Sequence, residues 1–152
     1  MANPVTYGIN FPFRDSFDGR YLDLSDTIDE EIRTDLIHLL LTRKGTRYFL
    51  PDFGTRLLEY IFEPMDGTSF SEIESEIRES IKKYIPNLKV TSITVYDAST
   101  EESEQETRVA RGDDRVYRLP GAGTKEHTAR VKIDFIVTSN TFESSDFIII
   151  NI

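Results

Sequence analysis

The sequence predicts an α+β domain: about three helices packed on a small, mostly antiparallel sheet, with an extended N-terminal arm and a long loop or hairpin insertion. Three observations predict it. Apolar residues recur at helical spacing across residues 27–84. After Pro86 the period changes to two and β-branched residues dominate. The helices thus precede the strands instead of alternating with them, which is the order of a segregated α+β fold. With 152 residues the chain fits one domain. The predicted organisation is an arm over 1–24 and a single domain over 25–152, with the insertion at about 99–126.

Pro4, Gly8, Pro12 and Gly19 punctuate the arm. Tyr7, Ile9, Phe11, Phe13 and Phe17 give it apolar contact points, so it must lie across the domain or across a partner. The first helix opens on a Thr27/Glu30 capping box, with Asp26, Asp29, Glu30 and Glu31 crowding its positive end. Ile28, Ile32, Leu36, Leu39 and Leu40 form its apolar stripe, and Arg43, Lys44 and Gly45 close it. A linking segment from Thr46 to Phe53 contains Pro51, and Gly54 frees the chain to turn. A short second helix covers about Thr55 to Phe62, ended by Pro64 and Gly67. The third helix is predicted to start at a second capping box, Ser69/Glu72, and to stop at Pro86. Phe70, Ile73, Ile77, Ile81 and Tyr84 line one face, and Glu74–Arg78 and Glu79–Lys83 are i,i+4 pairs.

Leu88–Tyr96 reads as a strand with apolar residues on parts of both faces. Thr128–Val137 alternates cleanly, with Ala129, Val131, Ile133, Phe135 and Val137 on one side. Phe147–Ile152 is a third strand. Arg115–Leu119 is a candidate strand inside the insertion, with Thr107–Arg111 as a candidate partner.

The chain carries 27 Asp+Glu against 18 Lys+Arg, a formal charge of −9. That argues against nucleic acid as a whole-chain partner, because phosphate contacts need a basic surface. No apolar run is long enough to cross a bilayer. The N-terminus lacks the pattern of a secretory signal, so the expected location is where the chain is made. There is no Cys, which removes disulfides, thiolate nucleophiles and Cys-based metal sites. His38 and His127 are far apart in sequence, and His38 has Thr42 in place of an acid at i+4, so no metal is expected. Nucleophile-elbow and phosphate-loop motifs are absent, and no cofactor is expected. Glu59 and Glu63, one helical turn apart, are the nearest approach to a glycosidase carboxylate pair. Nothing beside them supplies an apolar pocket, and Trp is absent.

Phe147, Ile148, Ile149, Ile150 and Ile152 are strongly β-prone, and after Asp146 the strand is uncharged. Two readings stand: a central strand buried on both faces, or a strand whose free edge joins another chain by β-augmentation.

The stretch Leu39–Pro64 carries a pattern: Leu40-Leu41-Thr42, Gly45-Thr46-Arg47, Pro51-Asp52-Phe53-Gly54, then Leu57 and Ile61-Phe62-Glu63-Pro64. In joint order and spacing it resembles the phage tail baseplate wedge proteins that act as sheath initiators, a family that includes the type VI secretion component TssE. The similarity runs from about Asp23 to Val95. Gly45, Arg47, Pro51, Phe53, Gly54, Phe62, Pro64 and Pro86 match family positions, and their roles are fold-determining: Arg47 capping or pairing near the helix ends, Pro51 and Phe53 wedging the link against the core. Where family members often carry Glu-Pro-Arg, this chain has Ile85-Pro86-Asn87, so only Pro86 carries over.

The resemblance implies a structural, non-enzymatic subunit of a contractile tail or injection machine. It would be made in the host cytoplasm and placed in the virion tail baseplate, where it templates the first sheath ring by β-strand augmentation. The implied partners are the tail sheath protein, other wedge subunits, and the tail tube or hub, with neither nucleic acid nor membrane. The strand edge at Phe147–Ile152 and the arm at Tyr7, Phe11 and Phe13 become the candidate contacts. A peptidoglycan hydrolase of the tail and an anti-adaptor-like regulatory binding module are the alternatives.

Overall fold

The computed structural model describes residues 7–17, 19–60, 67–97, 116–118, 129–138 and 143–151. The expectations for Phe62, Pro64, His127, Ile152 and most of the 99–126 insertion lie outside them.

Thr27, in extended backbone (φ −126°, ψ 151°), starts α1 (Ile28–Leu41). Its hydroxyl accepts the amide of Glu30 at 3.3 Å, while the Glu30 carboxylate takes the amide of Asp26 at 3.2 Å. The capping box therefore forms with its second half one residue out of register. The helix ends earlier than Gly45 suggests. Thr42 leaves helical geometry (φ −83°, ψ 123°) and Arg43 bridges Thr55 in parallel. The reason is tertiary: the Thr55 hydroxyl donates to Leu40 O (2.9 Å) and its amide to Thr42 O (2.9 Å), so late helical carbonyls find partners outside the helix.

The second helix, α2, covers Leu57–Tyr60 and α3 covers Gly67–Tyr84. The predicted box at Ser69/Glu72 is not the start of α3, because Ser69 is buried inside its first turn. Asp66, Thr68 and Ser69 are all residue types that cap helices, so spacing alone admitted more than one start. Ile73, Ile77 and Ile81 are fully buried, as their stripe required. Of the two predicted ion pairs, Glu74–Arg78 forms at 2.9 Å. Lys83 turns instead to Asp52 (3.5 Å), drawn by the loop that packs on the end of α3. Pro86 takes the second position of the turn closed by Leu88 N–H to Ile85 O (3.1 Å), where its fixed φ fits.

A two-stranded ribbon, β1 (Gly8–Ile9) and β2 (Leu24–Ser25), is antiparallel and flanks α1. The larger sheet contains β3 (Leu88–Asp97), β4 (Val116–Arg118), β5 (Ala129–Thr138) and β6 (Glu143–Asn151), in the order β3-β5-β6-β4. Its two long pairings are antiparallel; β4 lies parallel to the end of β6, and Thr107–Arg111, the candidate partner from sequence, lies outside the described residues. The sixth strand starts at Glu143, four residues before the apolar run that revealed it, because Ser144, Ser145 and Asp146 continue the ladder with β5.

The two-faced look of the third strand has a simple cause. The register of β3 on β5 slips between Val90 and Ser92. Leu88 and Val90 face the core, the bulge absorbs one residue, and Ile93 and Val95 then face it too. Opposite them stand Val131, Ile133, Phe135 and Val137, and beyond those Ile148 and Ile150. Helices α1 and α3 cover this one face, so the apolar side chains on it and those of both helices share a single core.

Candidate functional site

The matched motif folds into a braced loop between α1 and α2. Gly45 N–H donates to Pro51 O (2.8 Å), Phe53 N–H to Leu50 O (3.0 Å) and Lys44 N–H to Thr55 O (3.0 Å). Gly54 is a true glycine position: its φ is +110°, and a Cβ there would stand 2.3 Å from Thr42 O. Its carbonyl also accepts the buried Ser80 hydroxyl of α3 (3.4 Å). Phe53 packs edge-on against Tyr84 (5.1 Å between ring centres) and against the core. Arg47 does not cap a helix. Its guanidinium lies 4.2 Å above the Phe53 ring, since a planar cation stacks on an aromatic face more readily than it reaches a distant carbonyl. Pro51 is exposed, so its ring wedges nothing; its carbonyl does the bracing.

The tip of this loop is what sequence reasoning missed. Tyr48 and Phe49 are 99% and 101% exposed, with Leu50 at 43%. Arg43, Lys44 and Arg47 surround them in an otherwise acidic chain. The sequence reading placed Tyr48, Phe49 and Leu50 only within the linking segment Thr46–Phe53; the available signal was their position in a loop bounded by Gly45 and Gly54.

The arm folds back over α1. Tyr7 N–H donates to Ser25 O (3.0 Å) and Asn10 N–H to Asp23 O (3.0 Å). Phe11 reaches the core edge, and His38 meets Phe11 and Phe13 edge-on at 5.4 and 5.9 Å. Tyr7 and Phe13 remain largely exposed at 47% and 60%. Between the arm, α1 and the loop lies a cleft of about 500 Å³ whose lining includes Ile9, Phe13, Glu31, Asp35, His38 and Tyr84. Glu31 accepts the Ser25 hydroxyl at 2.6 Å. The Asp35 carboxyl is held above its ordinary range, first by loss of water and then by the Glu31 charge one turn earlier, against a smaller opposing effect of His38. Glu59 pairs with Arg43 at 3.5 Å and lies away from this cleft, while Glu63 is outside the described residues.

In β6 the side chains of Ile148, Ile149 and Ile150 are buried, so they are not surface contacts. Phe147 is half-buried with Lys132 5.6 Å from its ring centre. Asp146 points to the helix-covered face and is bound by Arg33 of α1.

Residues 26–111 match the family model described as Baseplate wedge protein gp25. The chain belongs to the baseplate wedge protein gp25 family. The match spans the motif loop, α3 and β3, and ends before β4. Baseplate wedge protein gp25 of Enterobacteria phage T4 is 36% identical over 72 residues, 45% of this chain and 54% of that protein. The chain thus matches about half the length of this relative. The cryo-EM structure of the anti-feeding prophage baseplate, 6-fold symmetrised, contains a chain with a TM-score of 0.54 and 25% identity, over 61% of this chain and 73% of that one. A crystal structure described as a candidate tail lysozyme from Geobacter sulfurreducens gives a TM-score of 0.53 at 20% identity, over 81% and 89%, and shows the shared fold.

Proposed function

We propose that this wedge-family chain is a non-enzymatic part of a contractile-tail baseplate and that it templates the first sheath ring by β-strand augmentation. The supporting observation is the sheet: β6 ladders fully with β5, and among the described residues its other side meets a strand at Ile149, Ile150 and Asn151. A sheet with an accessible edge can extend into a second chain through backbone hydrogen bonds. The braced loop supplies a separate contact, to a neighbouring wedge subunit. Its rigid, exposed Tyr48 and Phe49 with a basic surround have the character of interface anchors. Arm residues Tyr7 and Phe13 provide a smaller surface of the same kind.

Three polar groups of the cleft have structural occupations, which supports the non-enzymatic reading. Glu31 holds Ser25, His38 stacks between Phe11 and Phe13, and Arg47 rests on Phe53. Co-assembly tests the proposal. The purified chain, its cognate sheath protein and its cognate wedge proteins should together start ordered sheath growth. A mixture that starts growth equally well without this chain would contradict the reading.

A further inference from the structure

The tip of the motif loop differs in chemistry from the rest of the chain. Tyr48 and Phe49 are fully exposed there, with Leu50 partly exposed beside them. Their apolar area stays in water until another surface covers it. The tip is also held in shape before any partner arrives. Gly45 N–H to Pro51 O (2.8 Å) closes its base, the Thr46 hydroxyl donates to Arg43 O (2.7 Å), and Phe53 N–H donates to Leu50 O (3.0 Å). A loop braced in this way loses little freedom on binding.

Charge singles out the partner. Residues 43–53 carry Arg43, Lys44 and Arg47 against Asp52 alone, in a chain of net charge −9. Asp52 is engaged by Lys83 of α3 (3.5 Å), and Arg43 by Glu59 (3.5 Å). Lys44 and Arg47 are exposed, and no carboxylate among the described residues pairs with either. The Arg47 guanidinium is fixed over Phe53 instead, at the base of the tip.

We propose that this tip docks into an apolar pocket rimmed by carboxylates on a neighbouring wedge protein, with Phe49 entering the pocket and Lys44 and Arg47 meeting the rim. This rests on the loop contact proposed above and names its chemistry. The rim charges guide the encounter, and the buried aromatic holds the complex. Phosphate surfaces, whether nucleic acid or an anionic bilayer, fit less well. They are extended, so they meet the acidic chain around the tip as well as its cations. A pocket on a folded partner meets the tip alone.

Two measurements on the full chain with its purified cognate wedge proteins test this. Carbodiimide coupling joins an amine only to a carboxylate in contact with it. Mass spectrometry of the coupled complex should find Lys44 linked to an Asp or Glu of the partner. A formed complex in which Lys44 links to no partner carboxylate would overturn the inference. The second measurement follows binding rates at low and high salt, with melting curves to show that each variant is folded. Wild-type association should slow about tenfold from low to high salt. K44E should associate about threefold more slowly than wild type at low salt and respond less to salt. F49A should dissociate about tenfold faster or more. K44E with wild-type rates and salt response, beside an impaired F49A, would overturn the carboxylate rim and leave the loop contact standing. Both variants binding as wild type does would overturn the loop contact as well. Phosphatidylglycerol vesicles or duplex DNA that bind wild type but not F49A would overturn the choice of a protein pocket.

Discussion

Arg33 of α1 and Asp146 of β6, 113 residues apart, form a largely buried ion pair, with Nε 2.8 Å from Oδ2. Asp146 stands opposite Phe135 on the helix-covered face, where an unpaired carboxylate would be costly. The pair clamps the first helix to the sixth strand and keeps an inward charge tolerable. Replacing Arg33 with Met should lower stability by about 2–4 kcal/mol, because the buried Asp146 carboxylate loses its guanidinium partner. Urea denaturation of R33M, D146N and the double variant would check this. The double variant should lose less than the sum of the singles.

Gly54 joins the motif loop to the core. At φ +110° with Thr42 O in the path of a Cβ, Gly54→Ala should cost about 2 kcal/mol or more. Gly45 shares a positive φ (+89°) but has open space around it, so Gly45→Ala should cost less, about 1 kcal/mol. Thermal unfolding of both variants would show the order; equal losses would contradict the crowding argument.

Tyr48 and Phe49 touch little within the chain. Alanine at either should change stability by no more than about 0.5 kcal/mol. Incorporation into the wedge should nevertheless fall about tenfold or more if they anchor a neighbour. Quantitative pull-down by the cognate wedge proteins, alongside a melting curve, separates the two effects.

Asp35 sets a pH dependence. Its folded-state pKa is raised, so between its unfolded and folded values the folded chain binds more protons than the unfolded one. This group's contribution to stability therefore falls as pH rises through that window, and the deficit persists above it. Asp35→Asn should be more stable than wild type at neutral pH, and the difference should vanish below the ordinary Asp range. Melting temperatures of both proteins across acid to neutral pH would show it.

Periodicity made the helices and the central strands legible, since Ile73, Ile77 and Ile81 or Val131, Ile133 and Phe135 can satisfy their spacing in only one way. Boundaries were less legible. Thr42 leaves the helix because Thr55, distant in sequence, captures its carbonyl, and no local signal carries that contact. The bulge in β3 was visible in hindsight as a one-residue slip between Val90 and Ile93. The motif loop could be recognised as a unit, but Tyr48 and Phe49 point outward because the Gly45–Pro51 bond closes the loop beneath them, which composition does not reveal. The Phe147–Ile152 run was recognised as strand; that Ile148, Ile149 and Ile150 are buried within the sheet depends on the sheet order.

The most direct test is a cryo-EM structure of this protein in its own baseplate with the first sheath ring attached. The account predicts an extended sheath strand hydrogen-bonded to the four-stranded sheet of this chain. A sheath ring held through other surfaces, with no strand added to that sheet, would contradict it.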